Sequence, residues 1–358
     1  MSDGLARTGT ITTCTKPRTR RWSRRPLVFA SLIALLLVAA LYYLGSGAVA
    51  VEGWQVLRAL WYWASNTPLN MEQQVVTQLR LPRLLFAMVV GAGLAASGVA
   101  SQGLFRNPLA DPAMIGVAAG AALGASLTIV FGSRLGLPSA AGLVAAGAFV
   151  GGLTASFLVW LIGYRSGSIA TLLLAGIAIN AIVFAAIGLL QYLANDQQLR
   201  DLTFWSLGSL SAASWSRLAW VAPCVLVPVY FLMRQTRALN AFLLGEQEAA
   251  FLGFAVRRSQ HLVLVFTALA VSASVAFTGV ISFVGLVVPH LLRLILGPDH
   301  RPLLPAAALG GALLVVVADA LARTLAMPAE LPLGVLISLV GGPFFLWLLL
   351  RSPLAGGR

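Results

Sequence analysis

The feature that most constrains this chain is a succession of apolar runs, each long enough to cross a bilayer. Spanning the hydrocarbon core takes roughly 20 mostly apolar residues. Such runs extend from Leu27 to Leu44, Leu84 to Leu104, Ala113 to Phe131, Ala140 to Ile162, Ile169 to Leu193, Leu218 to Met233, Leu303 to Val317 and Leu331 to Leu350. A further stretch between His261 and His290 carries no charge and is too long for one crossing, with Thr278-Gly279, Gly285 and Pro289 as places to break it. Counted as two, it brings the total to about ten spans. Lipid offers no partner to a backbone N–H or C=O, so these runs are expected to be helices. Alternating ten-residue segments of the kind a barrel needs are missing. With 59% apolar and 10% charged residues, the composition fits a chain whose solvent is the bilayer. The expected fold is an all-α integral membrane protein.

A formal net charge of +13 suggests nucleic acid in a soluble protein, but in a membrane protein basic residues first report topology. Placing the N-terminus in the cytoplasm puts most of the arginines on the cytoplasmic side and both termini inside. Residues 1–25 are polar and basic without hydrophobic periodicity, and read as a disordered cytoplasmic tail beside anionic headgroups. Residues 26–352 are expected to form one transmembrane domain. Thr19-Arg20-Arg21, the apolar run and Ala48-Val49-Ala50 imitate a twin-arginine signal with a cleavage site, yet the run nearly reaches spanning length and nine further spans anchor the chain. Cys14 and Cys224 specify neither a disulfide framework nor a metal site.

Between Val51 and Gln78, Trp54, Trp61, Tyr62 and Trp63 favour the interface, which predicts a connection lying on the bilayer. Gly116, Gly120 and Gly124, and again Gly147 and Gly151, recur at four-residue spacing and predict close helix packing. The longest cytoplasmic connection runs from Arg234 to Arg258, where Gly245-Glu246-Gln247-Glu248 and Gly253 punctuate a short helical pattern, charged enough for water and apolar enough for a partner.

Chemistry inside the membrane normally announces itself through ionisable residues, which are costly there. Of the eleven acidic residues only Asp319 falls in an apolar run, and Arg323 follows four positions later, a spacing that favours a local ion pair. His261, His290 and His300 map towards the cytoplasmic side, and none has a second histidine or a carboxylate at metal-ligand spacing. No nucleotide-binding Gly-rich loop is present and Lys16 is the only lysine. The chain is therefore expected to be non-catalytic, without a cofactor or metal, and any ATP that drives it must bind another subunit.

Longer motifs point to a family. Arg80-Leu81-Pro82-Arg83, Gly91, Ser97-Gly98, Gln102 and the run Arg106-Asn107-Pro108-Leu109-Ala110-Asp111-Pro112 resemble the iron-chelate and cobalamin (FecCD-type) permease family of binding-protein-dependent ABC importers. The likeness continues through Leu174-Ala175-Gly176, Phe204 to Ser209, Gly279 to His290, Asp299-His300-Arg301 and Glu330 to Gly334. The resemblance implies the type II importer fold and a homodimer of ten-span subunits in the bacterial inner membrane. It also implies two cytoplasmic ATPase subunits and a periplasmic binding protein. On that likeness the segment at about 238–256, with Leu244, Gly245, Glu246, Ala249, Ala250 and Gly253, seats the ATPase, and Arg80 and Arg323 meet carboxylates of the binding protein.

The connection from Tyr192 to Trp205 resembles the haem branch, with ferric-siderophore or cobalamin import as the alternative and an ion-coupled secondary carrier as a more distant one. A translocation path is expected along small residues such as Ala175 and Gly176, with Asn180, Gln191 and Tyr192 as polar contacts. A path must release what it binds, so strong iron ligands are not expected in it.

Overall fold

The computed structural model describes residues 25–47, 51–132, 141–166 and 169–351. Residues 1–24 of the basic tail, the Ala48-Val49-Ala50 cleavage-like site and Cys14 lie outside these residues, whereas Arg25 opens the first helix. All described regular structure is helical: α1 (Arg25–Gly45), α2 (Gly53–Ala64), α3 (Met71–Gln74), α4 (Leu81–Leu104), α5 (Val117–Phe131), α6 (Ala141–Ser166), α7 (Ile169–Leu193) and α8 (Asp196–Leu207) come first. They are followed by α9 (Trp215–Arg234), α10 (Thr236–Phe242), α11 (Glu246–Phe251), α12 (Val256–Thr278), α13 (Val284–Leu296), α14 (His300–Thr324) and α15 (Leu333–Arg351). A π-helical stretch, Val75–Arg80, joins α3 to α4, and a short 3-10 turn, Pro112–Ile115, precedes α5.

Among the described residues seven helices are long and apolar enough to cross a membrane, and three shorter apolar ones, α5, α13 and the Leu333–Trp347 part of α15, complete the ten expected spans. The long run after His261 breaks at Gly279, whose φ of 72° suits glycine, while Gly285 and Pro289 lie inside α13. Polar side chains start the helices. Asn70 and Asn195 form capping boxes with Gln73 and Gln198, Ser214 caps α9, and Asp299 caps α14.

The aromatic segment after Val51 is the interfacial helix α2, with Trp54, Trp61 and Trp63 all exposed. Glycine spacing becomes backbone contact where α5 meets α6. A Cβ on Gly120 would stand 2.5 Å from the Gly151 carbonyl oxygen, and one on Gly124 would stand 2.0 Å from that of Gly147. Centrally α4 packs on α14, flanked by α1, α9, α12 and α13. At their closest approach a Cβ on Gly91 would meet the Gly311 carbonyl oxygen at 2.2 Å, so only glycine fits.

Helix direction alternates, which gives the molecule two faces. The start of α1 meets the start of α14 through Arg25 and Asp299, and the far end of α1 meets the far end of α14 through Tyr43 and Asp319. The first is called the Arg25 face and the second the Arg83 face.

Candidate functional site

On the Arg83 face one carboxylate gathers the charges. Asp319, 1% exposed, accepts two hydrogen bonds from Arg83, Nη2 to Oδ1 at 2.8 Å and Nε to Oδ2 at 2.9 Å, and a third from the Tyr43 hydroxyl. Arg83 turns its remaining edge to Glu330, Nη1 to Oε1 at 2.9 Å and Nη2 to Oε2 at 3.0 Å. Such a two-sided fork satisfies a buried carboxylate that would otherwise be very costly in lipid. The spacing partner Arg323 lies 3.8 Å from Asp319, stacks over the Tyr43 ring at 4.0 Å and donates to the Tyr43 carbonyl. The local pair therefore exists, but the main partner of Asp319 is Arg83, on another helix. Arg80 is also turned inwards: it is buried, and its Nη1 donates to the Leu44 carbonyl at 2.7 Å. Of this group Glu330 is the most accessible, at 42% of its side chain.

On the Arg25 face the order is reversed. α10 buries Ala238, Leu239 and Phe242, and α11 buries only Ala249. Between and after them Leu244 is 66% exposed, Phe251 91% and Leu252 61%, an apolar knob unusual for a loop in water. Two glycines shape it, Gly245 at φ 129° and Gly253 at φ 85°, conformations that side chains resist. Glu246 opens α11 and approaches Arg106 at 3.8 Å, so the knob touches the loop that follows α4. Ala250 is exposed beside Phe251.

Beneath the knob, Asn240 of α10 bonds Asp299 and His300 at the start of α14. Burial alone would raise the Asp299 carboxyl. The hydrogen bonds from Asn240 and the Arg301 backbone N–H, with the charges of Arg25 and Arg301, outweigh it and hold that group below the usual carboxylate range. Gln102 accepts from Arg293 at 2.6 Å nearby.

The expected path residues divide between two sides of α7. Ala175 and Gly176 are packed inwards, and a Cβ on Gly176 would collide with the Met114 carbonyl oxygen at 1.8 Å. Asn180 is half-buried and donates to the Ala113 carbonyl. Gln191 and Tyr192 stand on the open side, Tyr192 at 85% exposure, in line with Leu174, Ala178, Ala181 and Ala185. Among the described residues no three His, Cys, Asp or Glu side chains converge as a metal site would require.

A bundle of ten apolar helices among the described residues, with a charge cluster closed at one face and an apolar knob open at the other, defines a multi-span membrane protein. The chain belongs to the FecCD transport family, whose model matches residues 35–351. It is 47% identical to the hemin transport system permease protein HmuU of Yersinia pestis over 91% of this chain and 96% of that protein. It is 41% identical to the cobalamin import system permease protein BtuC of Halobacterium salinarum, covering 77% and 73% of the two chains. To the molybdate import system permease protein MolB of Haemophilus influenzae it is 36% identical over 89% and 94%. Among solved structures, a metal-chelate type ABC transporter in an inward-facing conformation superposes with a TM-score of 0.81 at 34% identity, over 91% of this chain and 99% of the other. The chain is thus a transport subunit of an ABC importer, and ATP hydrolysis belongs to a separate subunit.

Sequence reading missed Arg83 and Tyr43 as partners of Asp319, Glu330 as the second partner of Arg83, and Phe251 as the most exposed part of the knob. Arg83 was visible as the last residue of Arg80-Leu81-Pro82-Arg83, but nothing local links position 83 to position 319.

Proposed function

We propose that this permease carries haem across the bacterial inner membrane, working as a homodimer with two ATPase subunits on the Arg25 face and a ligand-loaded binding protein on the Arg83 face. The observation that carries the choice of haem is the 47% identity to the hemin permease along almost the whole chain. The basic loops of the Arg25 face support reading it as the cytoplasmic one, with both ends of the helical body inside. The knob of Leu244, Phe251 and Leu252 suits an ATPase surface, because exposed apolar side chains gain from burial in a partner. Gly245, Glu246, Ala249, Ala250 and Gly253 give the knob its shape.

At the other face, docking through Arg80 and Arg323 requires carboxylates of the binding protein to draw both side chains out of their present contacts. Arg83, already sharing its edge with the accessible Glu330, is reached more readily. The path runs along the open side of α7, past Gln191 and Tyr192 with Asn180 at its edge, while Ala175 and Gly176 form the packed backing. Ala181→Trp should then block uptake without preventing assembly, and unchanged uptake would remove α7 from the path.

The test of the ligand is ATP hydrolysis by the reconstituted complex with its binding protein loaded in turn with haem, ferric siderophore, cobalamin or molybdate. Haem should give the largest stimulation. A larger response to cobalamin would support the second reading, which the 41% identity to a cobalamin permease favours. A secondary carrier is disfavoured because its coupling carboxylate must exchange partners, whereas Asp319 is locked by Arg83 and Tyr43.

A further inference from the structure

We propose that Asn240 is the positioning residue that fastens the α10–α11 unit to a rigid pair of helices, α4 and α14, so that displacement of the knob is passed to the Arg83 face. The inference rests on the reading that the knob seats the ATPase.

The fastening is made by one side chain. Asn240 Nδ2 donates to Asp299 Oδ1 at 2.8 Å, and Asn240 Oδ1 accepts from the His300 backbone N–H at 2.8 Å. The same oxygen lies 2.8 Å from His300 Nδ1. A carboxylate facing one end of the amide and a backbone N–H facing the other allow a single placement of its oxygen and nitrogen, so His300 Nδ1 is the protonated nitrogen.

Both partners of Asn240 are themselves fixed. Asp299 accepts from the Arg301 N–H at 3.1 Å as the cap of α14 and from Arg25 at 3.2 Å. The His300 ring, 1% exposed, fills the space beside the end of α4. A Cβ on Gly103 would stand 2.5 Å from His300 Nε2 and 3.0 Å from Leu239 of α10. Three helices thus meet at one imidazole, and Asn240 sets the register of the third.

From that joint α4 and α14 run together to the opposite face. They touch backbone to backbone at Gly91 and Gly311 and are bonded again where Arg83 holds Asp319. His300 and Asp319 lie about 28 Å apart along a helix rising 1.5 Å per residue, close to the thickness of the hydrocarbon core. The pair is pinned at both ends and in the middle, so it moves as a body. The apolar contacts of Ala238, Leu239 and Phe242 hold α10 against it without direction, whereas the hydrogen bonds of Asn240 fix its orientation.

The test is a swap in the complete complex of permease, ATPase and haem-loaded binding protein. Asn240→Asp sets two carboxylates against each other, whereas Asp299→Asn removes the charge but keeps an oxygen that can accept from Asn240. The double variant N240D/D299N relieves the repulsion, because the amide at 299 can donate to the carboxylate at 240, which still accepts from the His300 N–H. N240D should assemble, hydrolyse ATP at the basal rate and lose at least about fivefold of the stimulation by binding protein, D299N should lose less than that, and the double variant should recover it. Full stimulation in N240D, or no recovery in a double variant that assembles, overturns the proposal.

Hydrogen exchange on the unaltered complex gives a second test. Amides of α10 and of His300–Leu304 should change protection together on ATP binding, and a change confined to α10 contradicts the joint. A cross-link from Phe251→Cys to the ATPase separates the two levels. Its absence overturns the docking reading and the joint with it, while its presence with a failed swap overturns the joint alone.

Discussion

At the Arg83 face the charged side chains are turned towards one another, whereas at the Arg25 face the apolar side chains of Phe251, Leu244 and Leu252 are left widely exposed. The contrast follows from where each group sits. Asp319 lies in an apolar run, where an unpaired carboxylate is very costly, so Arg83, Tyr43 and Arg323 converge on it from two other helices and its own. The knob lies beyond the ends of the spans, where nothing in the chain itself needs Phe251 to be exposed. A closed charge cluster ties helices of the chain to one another, while the open apolar knob is proposed to serve a partner outside it.

The sharpest way to break the comparison is at Asp319. Asp319→Ala leaves Arg83 and the Tyr43 hydroxyl without their acceptor, and losing one partner of a buried pair costs about 3–5 kcal/mol. Folded protein recovered in detergent, followed by size-exclusion chromatography, should fall severely, and normal recovery would mean the cluster is not structural. Next is the waist of the central helix pair. Gly311→Val places a Cβ 2.2 Å from the Gly91 carbonyl oxygen, so α4 and α14 must separate, at about 1–3 kcal/mol. A clear drop in the thermal unfolding midpoint is expected.

Phe251→Asp should do the opposite, changing stability by no more than about 0.5 kcal/mol because the side chain is exposed. Co-purification of the ATPase subunit should nevertheless fall at least about tenfold. Equal loss of stability and binding would erase the distinction between the faces.

The smallest effect concerns pH. The Asp299 carboxyl titrates below its usual range, so its stabilising contribution is present above the unfolded carboxylate pKa and is lost as pH falls through the folded value. With a third of the side chain exposed, that contribution is below about 1 kcal/mol. The midpoint difference between the natural chain and Asp299→Asn should shrink in acid, and growth in acid would contradict the assignment.

Much of the fold could be read from the chain because the bilayer reduces the problem to run length and interruption. Ten spans, the break at Gly279, the interfacial tryptophans and the Gly120–Gly151 contact all follow from local pattern. The sites were less legible for a geometric reason. Arg83 and Asp319 are 236 positions apart, so spacing could find only Arg323, the weaker partner. Ala175 and Gly176 were expected along the path because they are small, yet both are buried on the packed side of α7, and Gly176 abuts the Met114 carbonyl. Phe251 looked like one apolar residue in a short helical pattern, and only the fold shows that α11 leaves it uncovered.

The central claim, two partner surfaces at opposite ends of one helix pair, is tested most directly by cross-linking in a single assembled complex. On a background lacking Cys14 and Cys224, cysteines at positions 251 and 330 should cross-link to different proteins, 251 to the ATPase subunit and 330 to the binding protein. Cross-links from both positions to the same partner, or from 330 to the ATPase, would contradict the account.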